Sequence, residues 1–164
     1  MNVLYLFLSF VLGFMTKYGD KKNSLELNIL SLVGVTIMIF LSTFYEGFLI
    51  FFAIFIAVLI AGKLDSFHYQ MAGAIYGVFS LYKILESGFP FISIPIIISA
   101  FIDEIGNDLA DKKRLKFLNK FFEKRLTMDI FCFILALFSV IPWLSLLLIL
   151  CFDAGYQLET KLRL

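Results

Sequence analysis

Charged residues are scarce in this chain. Only 16% of its 164 residues are Asp, Glu, Lys or Arg, whereas 61% are hydrophobic and 21 are phenylalanine. Ordinary water-soluble domains carry about 25% charged residues, which they need to build a polar surface. Here the few charges are also clustered, and long apolar stretches separate them. The composition therefore predicts an all-α, polytopic integral membrane helix bundle rather than a water-soluble domain.

Cysteine is rare as well, which excludes some kinds of site. Cys132 and Cys151 both lie inside apolar runs and form no CxxC motif, so neither a disulfide framework nor a cysteine-based zinc site is expected. No stretch resembles a flexible linker, and residues 1–164 are predicted to form a single transmembrane domain. The first apolar run has no basic residues before it, which indicates a retained helix rather than a cleaved signal peptide.

The long apolar stretches predict about seven short transmembrane helices. A hydrocarbon core about 30 Å thick takes about 20 helical residues, because a helix rises about 1.5 Å per residue. The first crossing runs from Val3 to about Lys17. Residues 28–62 are too long for one crossing, and we split them at residues 43–47 into two helices.

The second half of the chain adds four further crossings. Residues 68–85 form the fourth, and Pro90 suits the first turn of the fifth because its missing N–H is not needed there. Residues 126–158 are again too long for one crossing and are split at Pro142. The alternative is one helix kinked at Pro142, which gives six crossings instead of seven.

Basic residues set the predicted orientation. With seven crossings, all Lys and Arg residues except Lys83 fall on one side, and the positive-inside rule then places the N-terminus outside and the C-terminus in the cytoplasm of a plasma-membrane protein. These bases need no nucleic-acid partner to explain them. Residues 112–125, KKRLKFLNKFFEKR, group their apolar side chains on one arc, which predicts an interfacial amphipathic helix.

Carboxylates gather at the predicted cytoplasmic ends of the helices. Such acids are costly there, and a shared cation would offset the cost. Oxygen-rich ligands favour a divalent cation such as Mg²⁺. Ion pairing with Lys17 or Lys63 is the simpler alternative. The predicted metal ligands are Asp65, Asp103, Glu104, Asn107, Asp108 and Asp111.

One short motif supports this site. Asn107-Asp108-Leu-Ala-Asp111 resembles the start of the Asn-Asp-x-x-Asp motif of the UbiA-type membrane prenyltransferases. The resemblance implies aspartates that hold Mg²⁺ against a prenyl diphosphate at the ends of helices. It covers five residues, and Leu115 stands where the family motif has a further aspartate.

Three functions are compatible with these patterns. The first is a divalent-metal-dependent enzyme acting on a lipid phosphate or prenyl diphosphate. In this enzyme Lys17, Lys63 and Arg125 bind phosphate, His68 or Asp153 acts as general base, and an apolar gap takes the lipid tail. Membrane lipids are its expected partners. The second is a cation or proton transporter or channel, with acids along a path. The third is a non-catalytic membrane assembly or scaffold subunit.

Overall fold

Eight helices and no strands make up the part of the chain that the structure describes. The computed structural model describes residues 2–19, 25–111 and 118–162. The helices are α1 Asn2–Gly19, α2 Leu25–Leu41, α3 Tyr45–Ile60, α4 Phe67–Ser87, α5 Ser93–Asp111, α6 Asn119–Glu123, α7 Leu126–Leu137 and α8 Trp143–Leu162. The predicted all-α bundle is therefore confirmed.

The breaks between helices lie close to where the sequence predicts them, although residues 45–47 of the first predicted break belong to α3. Residues 42–44 separate α2 from α3, inside the stretch that was too long for one helix. Phe138 to Pro142 separates α7 from α8, so two helices form there rather than one kinked helix. Backbone conformation explains the turns: Ser139 and Gly88, which ends α4, have positive φ angles of 56° and 83°.

The most apolar helix, α3, lies at the centre of the bundle. Its side chains are hydrophobic nearly all round, which is typical of a buried helix. Leu49, Ile50 and Ala53 are completely buried. Helix α3 packs mainly against α5, and also against α8. The shared core extends to Ile96 of α5 and Ile149 of α8.

Helices α1 and α8 form the most extensive helix pair of the bundle. Two glycines allow the backbones to approach closely. A Cβ atom on Gly13 would overlap the carbonyl group of Phe152, and one on Gly155 would overlap the carbonyl group of Phe10. Ser9 also donates a hydrogen bond of 2.7 Å to the carbonyl oxygen of Leu148. The first and last helices are thereby joined, which closes the bundle.

The predicted membrane crossings are wrong. No helix in residues 2–19, 25–111 or 118–162 combines the length and the apolar character needed to cross a membrane. The apolar helices α2 and α3 have only 17 and 16 residues, and the longer α5 carries carboxylates through its second half. The predicted transmembrane domain, the multi-pass plasma-membrane location and the orientation with the N-terminus outside are corrected accordingly.

The predicted interfacial helix falls partly outside the described residues. Residues 112–117 are among those the structure does not describe. The described part forms the five-residue helix α6, which ends at Glu123 and does not reach Arg125. Phe122 of α6 packs so closely on Gly106 of α5 that a Cβ atom on Gly106 would overlap its ring. This contact places α6 against the end of α5.

Large apolar side chains are exposed on most helices. On α5 they form a stripe, since Ile94, Ile98, Ile102 and Ile105 recur at helical spacing and are each more than 40% exposed. Further exposed apolar residues lie on α4, including Val78 and Leu81, and on α7 and α8. An apolar surface of this extent is typical of a protein that associates with apolar partners.

Candidate functional site

The carboxylate of Asp103 caps another helix. It accepts hydrogen bonds from the backbone N–H groups of Thr127, at 3.1 Å, and Met128, at 2.7 Å. These belong to the first turn of α7, whose N–H groups have no partner within the helix. Arg125 precedes α7 in the left-handed conformation and supplies no side-chain cap. Burial raises the pKa of Asp103, and these hydrogen bonds oppose that shift.

Glu104 is held between two bases. Its carboxylate forms ion pairs with Arg125 and, at 2.8 Å, with Lys63. Lys63 also pairs with Asp108 at 2.8 Å and donates to the backbone carbonyl of Glu104 at 3.1 Å. Lys63 lies in the link between α3 and α4, so these contacts fasten that link to α5. Glu104 and Asp108 therefore pair with bases, which is the alternative to a metal site.

Tyr156 of α8 contacts two of the bases, Arg125 and Lys17. The Arg125 guanidinium lies 5.0 Å from the centre of the Tyr156 ring and the Lys17 ammonium 4.9 Å from it, both within reach of a cation–π interaction. Lys17 also donates to the Tyr156 hydroxyl at 3.2 Å. The three bases predicted to bind phosphate therefore contact protein groups.

Asp153 and Asp129 form a buried carboxyl pair. The two side chains, from α8 and α7, lie close to each other. A hydrogen bond between two carboxyl groups requires a proton, and two charged carboxylates at this distance would repel each other. Burial raises the pKa of Asp129 to about 6 and that of Asp153 well above its usual value. The pair therefore binds a proton more tightly than two separate, exposed carboxyl groups would.

These residues surround one small cavity. We define the acid–arginine cluster as Asp103, Glu104, Arg125, Asp129 and Asp153. All of its members except Asp129 line a space of about 10 Å³, together with apolar side chains of α3, α7 and α8. That volume is about the space one water molecule needs. The cluster is a closely packed arrangement rather than an open binding site, although the buried Oδ1 atom of Asp129 has no hydrogen-bond partner.

The cluster and its neighbours carry more negative than positive charge. With Asp108, five carboxyl groups lie near three bases, Lys17, Lys63 and Arg125, in the part of the chain that the structure describes. Each base already contacts an acid or Tyr156. This balance disfavours binding of a phosphate at these bases.

The remaining predicted site residues lie apart from the cluster. Asp65 is exposed in the link between α3 and α4. His68 is buried at the start of α4, where its Nε2 atom lies 3.1 Å from the carbonyl oxygen of Gly19. Asn107 is half-buried on α5, and the side chain of Asp111 lies outside the described structure.

The predicted metal-binding site is wrong for the described part of the chain. No group of three or more His, Cys, Asp or Glu residues there is arranged to hold a metal ion. The physical reason is that Asp103 caps a helix and that Glu104 and Asp108 pair with bases, so each carboxylate already has a partner in the protein. A divalent cation as cofactor stays a prediction that the structure does not test.

A second, larger cavity lies among helices α1 to α4. We call it the apolar cavity. Its volume is about 140 Å³. Almost all of its lining side chains are aliphatic or aromatic. It is lined by Leu12, Met15, Thr16, Gly19, Leu27, Leu30, Ser31, Gly34, Val35, Met38, Phe51, Ile54, Phe55, Val58, Leu64, His68, Tyr69, Ala72, Gly73, Tyr76 and Phe152.

Two side chains separate the apolar cavity from the acid–arginine cluster. Ile54 of α3 and Phe152 of α8 line both the apolar cavity and the small cavity within the cluster. Phe152 directly precedes Asp153 on α8. The apolar cavity therefore lies next to the carboxyl groups of the cluster.

Sequence reasoning missed two members of the polar network as site residues. Asp129 and Tyr156 are not among the site residues that the sequence predicts. Asp129 lies in the first turn of α7, close to Arg125 along the chain. Tyr156 follows Asp153 by three residues, so both lie on one side of α8. These spacings were the available signal.

No protein-family model, curated protein or solved structure matches this chain closely enough to identify a relative.

Proposed function

We propose that this protein binds the hydrocarbon part of a small lipid-like molecule in the apolar cavity. The observation that carries the proposal is the cavity itself, about 140 Å³ in volume and lined almost wholly by apolar side chains. Protein interiors are normally packed without voids of this size. The apolar side chains around this space lack packing partners on one side, and a hydrocarbon ligand would supply the missing dispersion contacts.

The size of the cavity limits the ligand. An apolar cavity of about 150 Å³ engineered in another protein stays dry and binds benzene. The apolar cavity is therefore suited to a ring or a chain segment of about six carbon atoms. A longer lipid would place only the end of its chain there. The proposal keeps the lipid binding that the sequence predicts. It leaves out the metal and phosphate chemistry of the predicted enzyme.

Filling the cavity tests the proposal. Gly34 of α2 lines the cavity, and a Cβ atom on it would lie 3.7 Å from Cδ1 of Leu12, an ordinary contact. The variant Gly34→Leu places a bulky side chain in the cavity and replaces a helical glycine by a better helix former. Toluene is the probe, because it is apolar and close in size to the cavity. Binding is measured as the rise in the unfolding midpoint with toluene concentration.

The expected results separate lost binding from lost folding. Toluene raises the midpoint of the unsubstituted protein, and Gly34→Leu binds toluene at least about tenfold more weakly, a difference of about 1.4 kcal/mol. Without toluene, Gly34→Leu unfolds at the same or a higher temperature. Ala74→Leu adds the same side chain at an exposed position of α4 and should bind toluene normally. Equal binding by Gly34→Leu and the unsubstituted protein contradicts the proposal.

A second candidate is a non-catalytic assembly subunit, which the isoleucine stripe on α5 favours. Ile94, Ile98, Ile102 and Ile105 are exposed on one face of that helix. Replacing Ile98 and Ile102 together by serine should reduce association with another protein or a second copy, measured by sedimentation. Serine replacement of Ile130 and Ile134, which are exposed to a similar extent on α7, is the control. Equal sedimentation of both variants argues against a role for the stripe.

A further inference from the structure

The walls of the apolar cavity are closed to different degrees of firmness. Each residue that lines the cavity is buried or half-buried, so a ligand enters most easily where one wall can move. The walls come from helices α1 to α4, with Leu64 from the link between α3 and α4 and Phe152 from α8. The helix that is held most weakly by the rest of the protein opens at the lowest cost in free energy.

Helix α4 has few buried side chains. Four of its 21 residues are buried, and none of the four, His68, Gly73, Tyr76 and Ser80, has an aliphatic side chain. In α3, eight of the 16 residues are buried, and all of these except Gly47 are hydrophobic. Burial of apolar side chains is the main term that stabilises a packed helix, so α4 is held less firmly than α3.

Helix α4 also lies at the edge of the bundle. In the part of the chain that the structure describes, α4 packs closely only against α2, whereas α3 packs against α5 and α8. Across the cavity, α4 meets α3 through side chains: the rings of Tyr76 and Phe55 form an edge-to-face contact with centres 5.3 Å apart. The opposite face of α4 exposes Val78, Leu81 and Leu85. Helix α4 can therefore move without separating α3 from α5 and α8.

Polar contacts join the start of α4 to the end of α1. The Tyr69 hydroxyl donates a hydrogen bond of 2.6 Å to the carbonyl oxygen of Thr16. Nε2 of His68 lies 3.1 Å from the carbonyl oxygen of Gly19 and 3.2 Å from the hydroxyl oxygen of Ser66. Thr16, Gly19, His68 and Tyr69 all line the cavity. The contacts between α1 and α4 therefore close one side of its wall.

The middle of α4 is held at a different point. The hydroxyl oxygens of Tyr76 and Ser42 lie 2.8 Å apart, and both side chains are buried. Ser42 belongs to the turn between α2 and α3. Before α4, Lys63 is held by its ion pairs to α5, and residues 64–66 between Lys63 and α4 have no regular secondary structure. The first half of α4 can therefore tilt about the Tyr76–Ser42 contact.

We propose that the first half of α4, residues 67–76, is the gate of the apolar cavity. It moves away from the end of α1 to admit the ligand and closes again through the Tyr69–Thr16 hydrogen bond. This inference rests on the proposed function, since it names the part of the fold that controls access to the same cavity. It also gives Tyr69 a role: this residue controls how often the cavity opens, rather than how tightly it holds a hydrocarbon.

Tyr69→Phe tests the gate, because it keeps the ring that lines the cavity and removes the hydrogen bond to Thr16. Loss of one such bond should shift the opening equilibrium about three- to tenfold. Backbone amides in the first half of α4 should then exchange with solvent faster by this factor, whereas those of α3 do not change. Tyr82→Phe, the same substitution at an exposed position of α4, is the control and should match the unsubstituted protein. Exchange is followed by mass spectrometry without any ligand.

Toluene gives a second measurement on the same variants. Its association and dissociation rates, from NMR exchange spectroscopy, should both rise about three- to tenfold in Tyr69→Phe, while its dissociation constant stays within about twofold. The two rates change together because the gate must open for both entry and exit. Weaker binding of toluene by Tyr69→Phe without faster association would mean that Tyr69 only contacts the ligand, and would overturn the gate.

Three other results would overturn the gate and separate it from the proposed function. If amides in the first half of α4 exchange as slowly as those of α3 in the unsubstituted protein, this segment does not open by itself, whether or not toluene binds. If toluene binds but Tyr69→Phe leaves both of its rates unchanged, the gate is wrong and the proposed function stands. If toluene does not bind the unsubstituted protein, the proposed function fails, and the gate fails with it even where α4 exchanges rapidly.

Discussion

At the scale of single residues, Asp129 and Asp153 lower the stability of the fold at neutral pH. Burial raises the pKa of both carboxyl groups above their values in the unfolded chain. The folded state therefore binds protons more tightly than the unfolded state does. It follows that the free energy of unfolding falls as the pH rises from about 4 through about 6 and beyond.

Replacing one carboxyl group of the pair by a group that cannot ionise should stabilise the protein. Asp153→Asn keeps a donor for Asp129 but cannot ionise, so we expect a gain of roughly 1–2 kcal/mol at pH 7. We also expect a flatter dependence of stability on pH between 5 and 8. Urea unfolding across this range measures both effects. Asp65→Asn, at an exposed position, should leave the curve unchanged. A variant that is less stable than the unsubstituted protein at pH 7 would contradict the shared proton.

Asp103 has the opposite effect, because its carboxylate satisfies two backbone N–H groups of α7. Asp103→Ala leaves these donors buried without a partner and should lower the free energy of unfolding by about 1–3 kcal/mol. Asp103→Asn retains one acceptor oxygen and should cost less. Asp108→Asn breaks a largely exposed ion pair and should cost under about 1 kcal/mol. Chemical unfolding of the three variants gives the order, and equal losses for Asp103→Ala and Asp108→Asn would argue against the cap.

At the scale of helices, the sequence predicts where each helix begins and ends better than it predicts whether that helix lies in a membrane. The turn at residues 42–44 and the break before Pro142 follow from chain length and turn chemistry, which are local properties. Crossing a membrane depends on the apolar length of each finished helix. The turns shorten the apolar stretches, and carboxylates occupy the second half of α5.

For the candidate site, too, the sequence predicts single residues better than it predicts their partners. Asp103, Glu104, Arg125 and Asp153 do meet, as expected from their positions at helix ends. Their partners depend on the rotation of each helix about its own axis, which no single-helix pattern contains. The sequence therefore identifies the acids but not that Asp103 caps α7 or that Glu104 pairs with Arg125. The apolar cavity is still harder to predict, since it reflects imperfect packing among four helices.

Helix–helix contact yields a prediction for the glycines. A Cβ atom on Gly13 would overlap the carbonyl group of Phe152, so Gly13→Ala must push α1 away from α8. Overpacking of this kind costs about 1–3 kcal/mol. In Gly77→Ala on α4, the new Cβ atom meets only the Phe55 ring, at 3.5 Å, and helix propensity should make it neutral or stabilising. Thermal unfolding compares the two variants, and a neutral Gly13→Ala would mean that α1 and α8 are less closely packed.

At the scale of the whole molecule, an apolar surface is combined with almost no net charge. The formal net charge is +1 at pH 7, and the isoelectric point is about 7.7. Charge repulsion keeps proteins apart in solution, and here it is weakest where the protein is neutral. Near neutral pH, charge repulsion therefore opposes only weakly the association of molecules through exposed apolar side chains such as Ile98 and Val78.

Association should therefore depend on pH with a maximum near the isoelectric point. We expect sedimentation or light scattering to give the largest particles between about pH 7 and 8 and smaller ones near pH 5, where protonated carboxyl groups leave the molecule positively charged. Replacing exposed Ile98 and Val78 by lysine should reduce association at pH 7.5, because it removes apolar area and adds charge. Serine at the same positions removes the apolar area alone. If lysine and serine variants behave identically, apolar contact rather than net charge controls the association.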